Sequence, residues 1–304
     1  LARRNFRKVD GILLLDKPLG LSSNQALQDA RFLFAAEKAG HTGSLDPLAS
    51  GMLPLCFGEA TKVSGFLLDS DKRYITTARF GYTSSTGDEE GEKQLIHSNP
   101  QITFALLEAA LPAFCGKIQQ VPPMYSALKK DGQPLYKLAR QGIEVERATR
   151  TVTIHELKIL ECTSDSATLE VQCSKGTYIR TLVEDLGTAL GVGAYVSMLR
   201  RTEVSPFTQQ PMRTLESFKH LATADYAVLD ALLLPLDTAL MHFPELSINS
   251  AQAQQIRQGQ KVVLDTIATD AIYRLYRQTD FNKEFIGLAE LKQGVLKAKR
   301  LLAY

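Results

Sequence analysis

The 304-residue chain has no C-x-x-C pair, no H-E-x-x-H, and no apolar run of the roughly 18–20 residues that a membrane span needs. Its four cysteines, Cys56, Cys115, Cys162 and Cys173, lie far apart. That spacing argues against a zinc site and a disulfide scaffold, and leaves free thiols acting as small apolar residues. The five histidines, His41, His97, His155, His220 and His242, show no ligand spacing either, so a metalloenzyme is disfavoured. The first residues, L-A-R-R-N-F-R-K-V-D, are basic but lack the apolar stretch of a secretory signal, and a soluble cytoplasmic protein with no membrane association is expected. There is also no internal repeat, no low-complexity tract and little charge excess, since 35 Lys and Arg oppose 33 Asp and Glu.

What is present suits a folded chain. Hydrophobic residues make up 44% and charged residues 22%, enough for a core in one large domain or a large and a small one. The near-neutral total hides three basic clusters: Arg3, Arg4, Arg7 and Lys8; then Lys129, Lys130, Lys137, Arg140, Arg147 and Arg150; then Lys297, Lys299 and Arg300. Each alone reads as solvated surface, but three together suit a polyanion, which is held through many separate phosphate contacts.

V-D-G-I-L-L-L-D reads as a buried strand stopped at Lys17-Pro18, after which Ser22 or Ser23 caps a helix to about Ala36. Residues 39–47 read as a loop, 52–57 as an apolar segment and 59–68 as a helix. K-R-Y-I-T-T-A-R-F-G is strand-like, T-S-S-T-G-D-E-E-G-E an exposed loop, and Thr103 a helix cap. Residues 121–150 turn polar around one short helix, P-L-Y-K-L-A-R-Q-G, and an insertion of this length is usually functional. A-T-L-E-V-Q-C alternates as a half-buried strand, Thr177 is placed to cap the following helix with Arg180 off its apolar face, and Y-V-S-M-L-R-R-T-E-V returns as a strand. Helices at about 214–222 and 227–234 follow. Beyond M-H-F-P-E-L-S-I-N comes a β-rich module of about sixty residues, ending in a hairpin turned at Lys292-Gln293-Gly294. Strands and helices mix without regular βαβ alternation, so the fold class is α+β.

Chemistry concentrates in G-H-T-G-S-L-D-P-L-A-S-G, residues 40–51, where Asp46 stands alone between Leu45 and Pro47. An aspartate of ordinary pKa is ionised at neutral pH and can attack an electrophile without a helper base, provided that it is positioned. Leu45 and Pro47 restrict the backbone, and Gly40, Gly43 and Gly51 allow close approach of a substrate. The competing reading is an aspartate that only caps a turn before proline.

The wider window G-H-T-G-S-L-D-P-L-A-S-G-M-L-P-L-C-F-G-E-A-T-K closely resembles the catalytic motif of the bacterial tRNA pseudouridine-55 synthases, the TruB-type family. V-D-G-I-L-L-L-D-K-P-L-G-L-S-S-N is similar to that family's opening segment and D-S-D-K-R-Y-I-T-T-A-R-F-G to its tyrosine-bearing strand. P-P-M-Y-S-A-L-K-K-D-G-Q-P-L-Y-K-L-A-R-Q-G resembles its RNA-gripping insertion, and C-S-K-G-T-Y-I-R-T-L-V-E-D-L-G its arginine-bearing helix. A-Y-V-S-M-L-R-R-T is similar to the strand that follows, so the resemblance runs in order over nearly the whole chain.

The resemblance implies a mixed-sheet catalytic domain over 1–242, with the insertion at about 121–150, and a PUA-like RNA-binding domain over 243–304. It implies isomerisation of uridine 55 in the T loop of tRNA, with the T-arm as partner, no cofactor, no metal, no obligate protein partner and a monomeric state. Asp46 would be the essential carboxylate. Its mode, at the sugar C1′, at C6 of the base or on the 2′ proton, is left open by the sequence. Tyr74 would stack on the base and assist loss of the C5 proton. Arg180, a cation oddly placed in a first helical turn, would pair with Asp46. Tyr178, Leu199 and Lys17 would line or brace the pocket. His41 would contact the RNA, because a uridine inside a folded loop must flip out to meet a carboxylate. A glycoside hydrolase would need a second positioned acid, and Glu59 is the nearest downstream. A non-catalytic tRNA-binding or folding protein would need the basic clusters but neither Asp46 nor Arg180. A guide-RNA-dependent relative fits less well, because the insertion suits an enzyme that reads the T loop unaided.

Overall fold

The computed structural model describes residues 6–221, 225–265 and 268–303, so Arg3 and Arg4 of the first basic cluster lie outside the described residues, as does position 222 at the end of one expected helix. In chain order, β1 (Gly11–Lys17) leads to α1 (Ser23–Leu33), β2 (Ala39–His41), β3 (Ala49–Phe57) and α2 (Ser64–Leu68). β4 (Lys72–Phe80), β5 (Tyr82–Ser84), β6 (Lys93–Leu95), α3 (Phe104–Ala110) and β7 (Gly116–Gln120) follow. Next come β8 (Lys129–Lys130), β9 (Gln133–Pro134), α4 (Leu135–Ala139), β10 (Arg150–Cys162), β11 (Ser166–Cys173), α5 (Ile179–Ala189) and β12 (Ala194–Val204). β13 (Arg213–Thr214), α6 (Leu215–Leu221) and α7 (Tyr226–Asp230) lead to the last part, β14 (Glu245–Ile248), α8 (Ser250–Arg257), β15 (Val262–Val263), β16 (Ala271–Gln278), β17 (Lys283–Lys292) and β18 (Val295–Leu301).

This is the expected α+β mixed sheet. A nine-stranded sheet runs β13-β1-β3-β12-β4-β11-β10-β7, with β2 paired beside β3. Parallel pairs (β1 with β13, β12 with β3) sit among antiparallel ones. β12 is wedged between β3 and β4, registering Leu199 and Arg201 on Ala49 and Gly51, and on Thr76 and Tyr74. That register brings residues from far along the chain to the strand that begins three residues after Asp46.

Local chemistry explains the elements. Ser22 caps α1 in a reciprocal box with Gln25, and Thr103 caps α3 by accepting from the Leu106 N–H. The expected loop 39–47 is partly strand, because residues 39–41 pair with Leu55–Phe57. The segment 59–68 is broken into a 3-10 turn (Gly58–Lys62) and the short α2. Thr177 does not cap α5: Tyr178 holds that position, and the Thr177 hydroxyl donates to the Ser174 carbonyl instead.

One core lies between the sheet and α1, α3, α5 and α6, including Phe34 stacked on Phe57 and edge-on to Phe218. The opposite side of β1 and β3 contributes Ile12, Leu14, Met52 and Cys56 to a second cluster with Leu288 and Leu302 of the C-terminal part. That part is a five-stranded sheet, β14-β16-β17-β18-β15, closed over its own apolar cluster and α8. Its last strands form the hairpin expected at Lys292-Gln293-Gly294. Among the described residues, no helix is long and apolar enough to cross a membrane.

Candidate active site

Asp46 sits in the loop between β2 and β3, and the loop is fixed along its length. The Ser23 hydroxyl at the start of α1 donates to the Leu45 carbonyl at 2.9 Å and accepts from the Leu45 N–H at 2.7 Å. The Gly20 N–H donates to the Pro47 carbonyl at 2.8 Å, and the Ala49 N–H closes a turn onto the Asp46 carbonyl at 3.0 Å. Arg201, almost wholly buried, donates from Nη2 to the Gly43 carbonyl at 3.0 Å and from Nε to the Met52 carbonyl at 2.7 Å. It thereby ties the start of the loop to the strand that follows it. At Gly51 (φ +100°) a Cβ would fall 2.1 Å from the Arg201 carbonyl oxygen, so glycine permits the approach of β12 there.

The loop presents a carboxylate to a guanidinium. Arg180, in the first turn of α5, brings Nη2 within 2.9 Å of Asp46 Oδ2. Its side chain is 7% exposed and that of Asp46 is 46% exposed, so the arginine is the buried anchor and the aspartate faces outward. Arg180 is thus not off the apolar face as the helical pattern suggested; it points into the protein. Two backbone carbonyls hold it there, Thr86 at 2.8 Å and Tyr125 at 2.6 Å, and Asp88 Oδ2 lies 3.4 Å from Nη1. Such charge-assisted bonds to fixed acceptors orient the fork before any substrate arrives.

Asp88 and Arg201 help to build the site, and sequence reasoning missed both. The loop after β5 reads as solvent-exposed, yet Ser84, Gly87 and Asp88 are buried, and the Val196 N–H of β12 donates to the Gly87 carbonyl. For Arg201 a signal existed. Arg200 and Arg201 are adjacent on a strand, so one of them must face inward. Arg200 grips Asp16 with two bonds of 3.0 and 2.8 Å, and Arg201 takes the buried side.

The electrostatics follow from burial. Desolvation pushes the Asp46 carboxyl above its ordinary range; Arg180 pulls it back, Asp88 pushes it up again, and Lys17 opposes. Lys17 is fully buried, donates to the Pro18 and Leu21 carbonyls at 2.8 and 2.7 Å, and is pushed down to about 8 by desolvation. Tyr74 on β4 is 9% exposed, packed in the core cluster that holds Leu45, and its phenol is raised by burial against the opposing charge of Arg201. It is therefore neutral at physiological pH.

Of the seven residues singled out in the sequence, Asp46, Arg180 and Leu199 line one crevice with Leu48, Ala49, Asp88 and Val196–Met198. Tyr74 and Lys17 sit buried behind the loop. Tyr178 stands at the head of α5, its backbone N–H and carbonyl both bonded to the Gln120 side chain. His41 ends β2, half-buried, with Nδ1 lacking a partner among the described residues and its basicity lowered by burial beside Arg201. Outside the crevice, β8 and α4 carry exposed Lys129, Lys130 and Lys137, and exposed Arg140 follows α4.

Residues 31–179 match the model of the TruB family pseudouridylate synthase N-terminal domain, residues 180–241 that of the tRNA pseudouridylate synthase B C-terminal domain, and residues 244–302 that of pseudouridine synthase II TruB, C-terminal. The chain is 53% identical over 303 residues to a protein of Pseudomonas putida (strain GB-1) named tRNA pseudouridine synthase B, covering 99% of this chain and 98% of the relative. A protein of Marinomonas sp. (strain MWYL1) with the same name is 48% identical over 303 residues, with coverage of 99% and 98%. Among solved structures, a chain of the crystal structure of a Cbf5–Nop10–Gar1 complex superposes with a TM-score of 0.71 at 25% identity, over 96% of this chain and 84% of the other.

Proposed function

The chain belongs to the TruB family of pseudouridylate synthases, and on that footing we propose that it converts uridine 55 in the T loop of tRNA to pseudouridine, with Asp46 as the essential carboxylate. It is a pseudouridine synthase of tRNA, as its relatives at about half identity over nearly their whole length are named. The reaction breaks the bond between C1′ of the ribose and N1 of uracil and rejoins C1′ to C5, after which the C5 proton leaves. The observation that carries the reading is the outward-facing Asp46, held 2.9 Å from a buried Arg180. A protein that only binds RNA has no use for a carboxylate presented in that way.

The parts then take roles. Arg180 favours the ionised form of Asp46 against the desolvation that a bound base adds, and fixes where its oxygens point. The target uridine must leave its stack to meet the outward-facing Asp46, at a cost of a few kcal/mol that contacts to the base and its neighbours offset. Leu199 forms an apolar wall, and Tyr178 stands at the head of the helix that bears Arg180. His41 provides a half-buried ring beside the same loop. Tyr74, neutral and buried, is suited to handling a proton and not to carrying charge. Lys17 braces the turn after β1 through the Pro18 and Leu21 carbonyls, and Gly20 of that turn bonds to the Asp46 loop at Pro47. The exposed cations of residues 129–150 grip the T-arm backbone, and the C-terminal five-stranded sheet extends the contact as a PUA-like RNA-binding domain. The catalytic unit is assigned to residues 1–242 and the C-terminal unit to 243–304.

The test uses unmodified tRNA carrying tritium at uridine C5. The wild-type chain should release tritium with no added metal or cofactor, and Asp46→Asn should bind the same tRNA with comparable affinity and release none. Release by Asp46→Asn at the wild-type rate would overturn the assignment of Asp46.

A further inference from the structure

Among the described residues, two side chains from other elements bond the backbone of the loop that carries Asp46. Arg201 reaches Gly43, three residues before the carboxylate, and Ser23 reaches Leu45, immediately before it. Ser23 is the second of two adjacent serines at the start of α1. Ser22 turns back on its own helix, accepting from the Gln25 N–H and completing the reciprocal box. Ser23 stands outside that box and is 4% exposed, with its hydroxyl turned to the loop.

A single hydroxyl serves both sides of Leu45. Its oxygen accepts from the Leu45 N–H at 2.7 Å, and its proton goes to the Leu45 carbonyl at 2.9 Å. Peptide groups are planar, so the two bonds fix the planes before and after Leu45, and the second ends at the Asp46 nitrogen. On the other side of Asp46, the proline ring restricts its backbone, and the Pro47 carbonyl accepts from the Gly20 N–H. The carboxylate has little else to direct it. Arg180 meets Oδ2 at 2.9 Å, and no other side chain bonds to the carboxylate among the described residues. With the side chain 46% exposed, the aim of its second oxygen follows from the backbone beneath it.

We propose that Ser23 is a positioning residue for the isomerisation, setting the direction of the Asp46 carboxylate from the backbone side. The proposal rests on Asp46 as the essential carboxylate, argued above. Both capacities of the Ser23 hydroxyl are taken up inside the protein, so it acts through Asp46 and not on the RNA. Without it, the Leu45 N–H and carbonyl lose their partner in a buried setting, and the peptide planes turn to find others. Asp46 turns with them, and a reacting group displaced by about 1 Å can cost about a hundredfold in rate. The loss falls on the chemical step and leaves RNA affinity alone, since Ser23 is covered. Burial and Asp88 raise the Asp46 carboxyl while Arg180 and Lys17 oppose the rise, so a carboxylate turned away from Arg180 takes up its proton at higher pH.

The experiment compares single-turnover tritium release and tRNA affinity in wild type, Ser22→Ala, Ser23→Ala and Ser23→Thr, with folding checked by urea unfolding. Ser22→Ala is the control: it removes the cap of α1 one residue away, leaves the Leu45 bonds intact, and should keep the rate within about twofold. Ser23→Ala should bind tRNA within about twofold of wild type yet release tritium about tenfold to a hundredfold more slowly. The acid limb of its rate profile should move to higher pH, and that of Ser22→Ala should not. Ser23→Thr, which keeps the hydroxyl, should recover most of the rate. If Ser23→Ala does not fold, Ser23→Cys puts a weaker donor and acceptor in the same place: slower release at unchanged affinity supports the proposal, and wild-type release refutes it. If Ser23→Ala slows the reaction no more than Ser22→Ala, or loses affinity alone, Ser23 does not aim the carboxylate and the proposed activity stands. Release by Asp46→Asn at the wild-type rate would instead remove the premise, and Ser23 would fall with it.

Discussion

Replacing Arg180 with methionine tests the site at its centre. The guanidinium is 7% exposed and faces two carboxylates of unequal standing: Asp46, which can turn to water, and Asp88, whose side chain is only 10% exposed. Methionine fills similar volume but leaves Asp88 buried without its cation, and leaves the Thr86 and Tyr125 carbonyls without their donor. Removing one partner of a buried ion pair costs about 3–5 kcal/mol, and most of that is assigned here to Asp88. Because the chain has no tryptophan, urea unfolding is best followed by far-ultraviolet circular dichroism. Arg180→Met should lower the unfolding free energy by about 3 kcal/mol or more. Asp88→Asn in that background should recover at least about 1 kcal/mol, although alone it is neutral or destabilising. Tritium release should fall by at least about a hundredfold in both, because Asp46 has lost its fixed donor. If Arg180→Met stays within about 0.5 kcal/mol of wild type and the two changes add simply, the guanidinium is not holding a buried charge, and this account of the site fails.

Two further predictions use other parts of the same site. Gly51→Ala forces a Cβ to 2.1 Å from the Arg201 carbonyl at φ +100°, and should cost more than about 2 kcal/mol in urea unfolding; a loss below that would mean that β3 and β12 part easily. Lys17 and Lys72 are pushed down to about 8 from 10.5, so between those values the unfolded chain holds more protons than the folded one. Stability should therefore rise with pH from about 8 towards 10, with a shallower rise in Lys17→Met, and an identical slope in that variant would remove Lys17 as its source.

How much of this was legible beforehand differs by residue. The local setting of Asp46, its glycines and flanking proline, drew attention to it but left a plain turn cap open, and the resemblance of the wider window chose the catalytic reading. Thr103 read correctly as a cap because that signal is local, and of the two candidates Ser22 and Ser23 the structure chooses Ser22. Arg180 was singled out by the family resemblance, with the oddity of a cation at a helix start in support, yet its inward direction was invisible, since its acceptors come from residues 86 and 125. Asp88 lies in a stretch of serine, threonine, glycine and acids that looks solvated by composition. Only its docking on β12 makes it internal, and no local pattern encodes a docking. Thr177 shows the reverse error: a good capping residue whose hydroxyl was claimed by Ser174, while Gln120 from another strand took the N–H of Tyr178.

The position of β12 also governs how the molecule is made. A ribosome releases β3 and β4 long before β12, yet in the finished sheet those two strands touch only through it. The nascent chain therefore carries two open strand edges, at residues 49–57 and 72–80, for the time taken to add well over a hundred residues. Over that interval Arg201 has not been synthesised, so the loop that holds Asp46 lacks its clamp, and Arg180 emerges only shortly before. The Asp46 loop is thus fixed by nearly the last piece of the sheet to arrive.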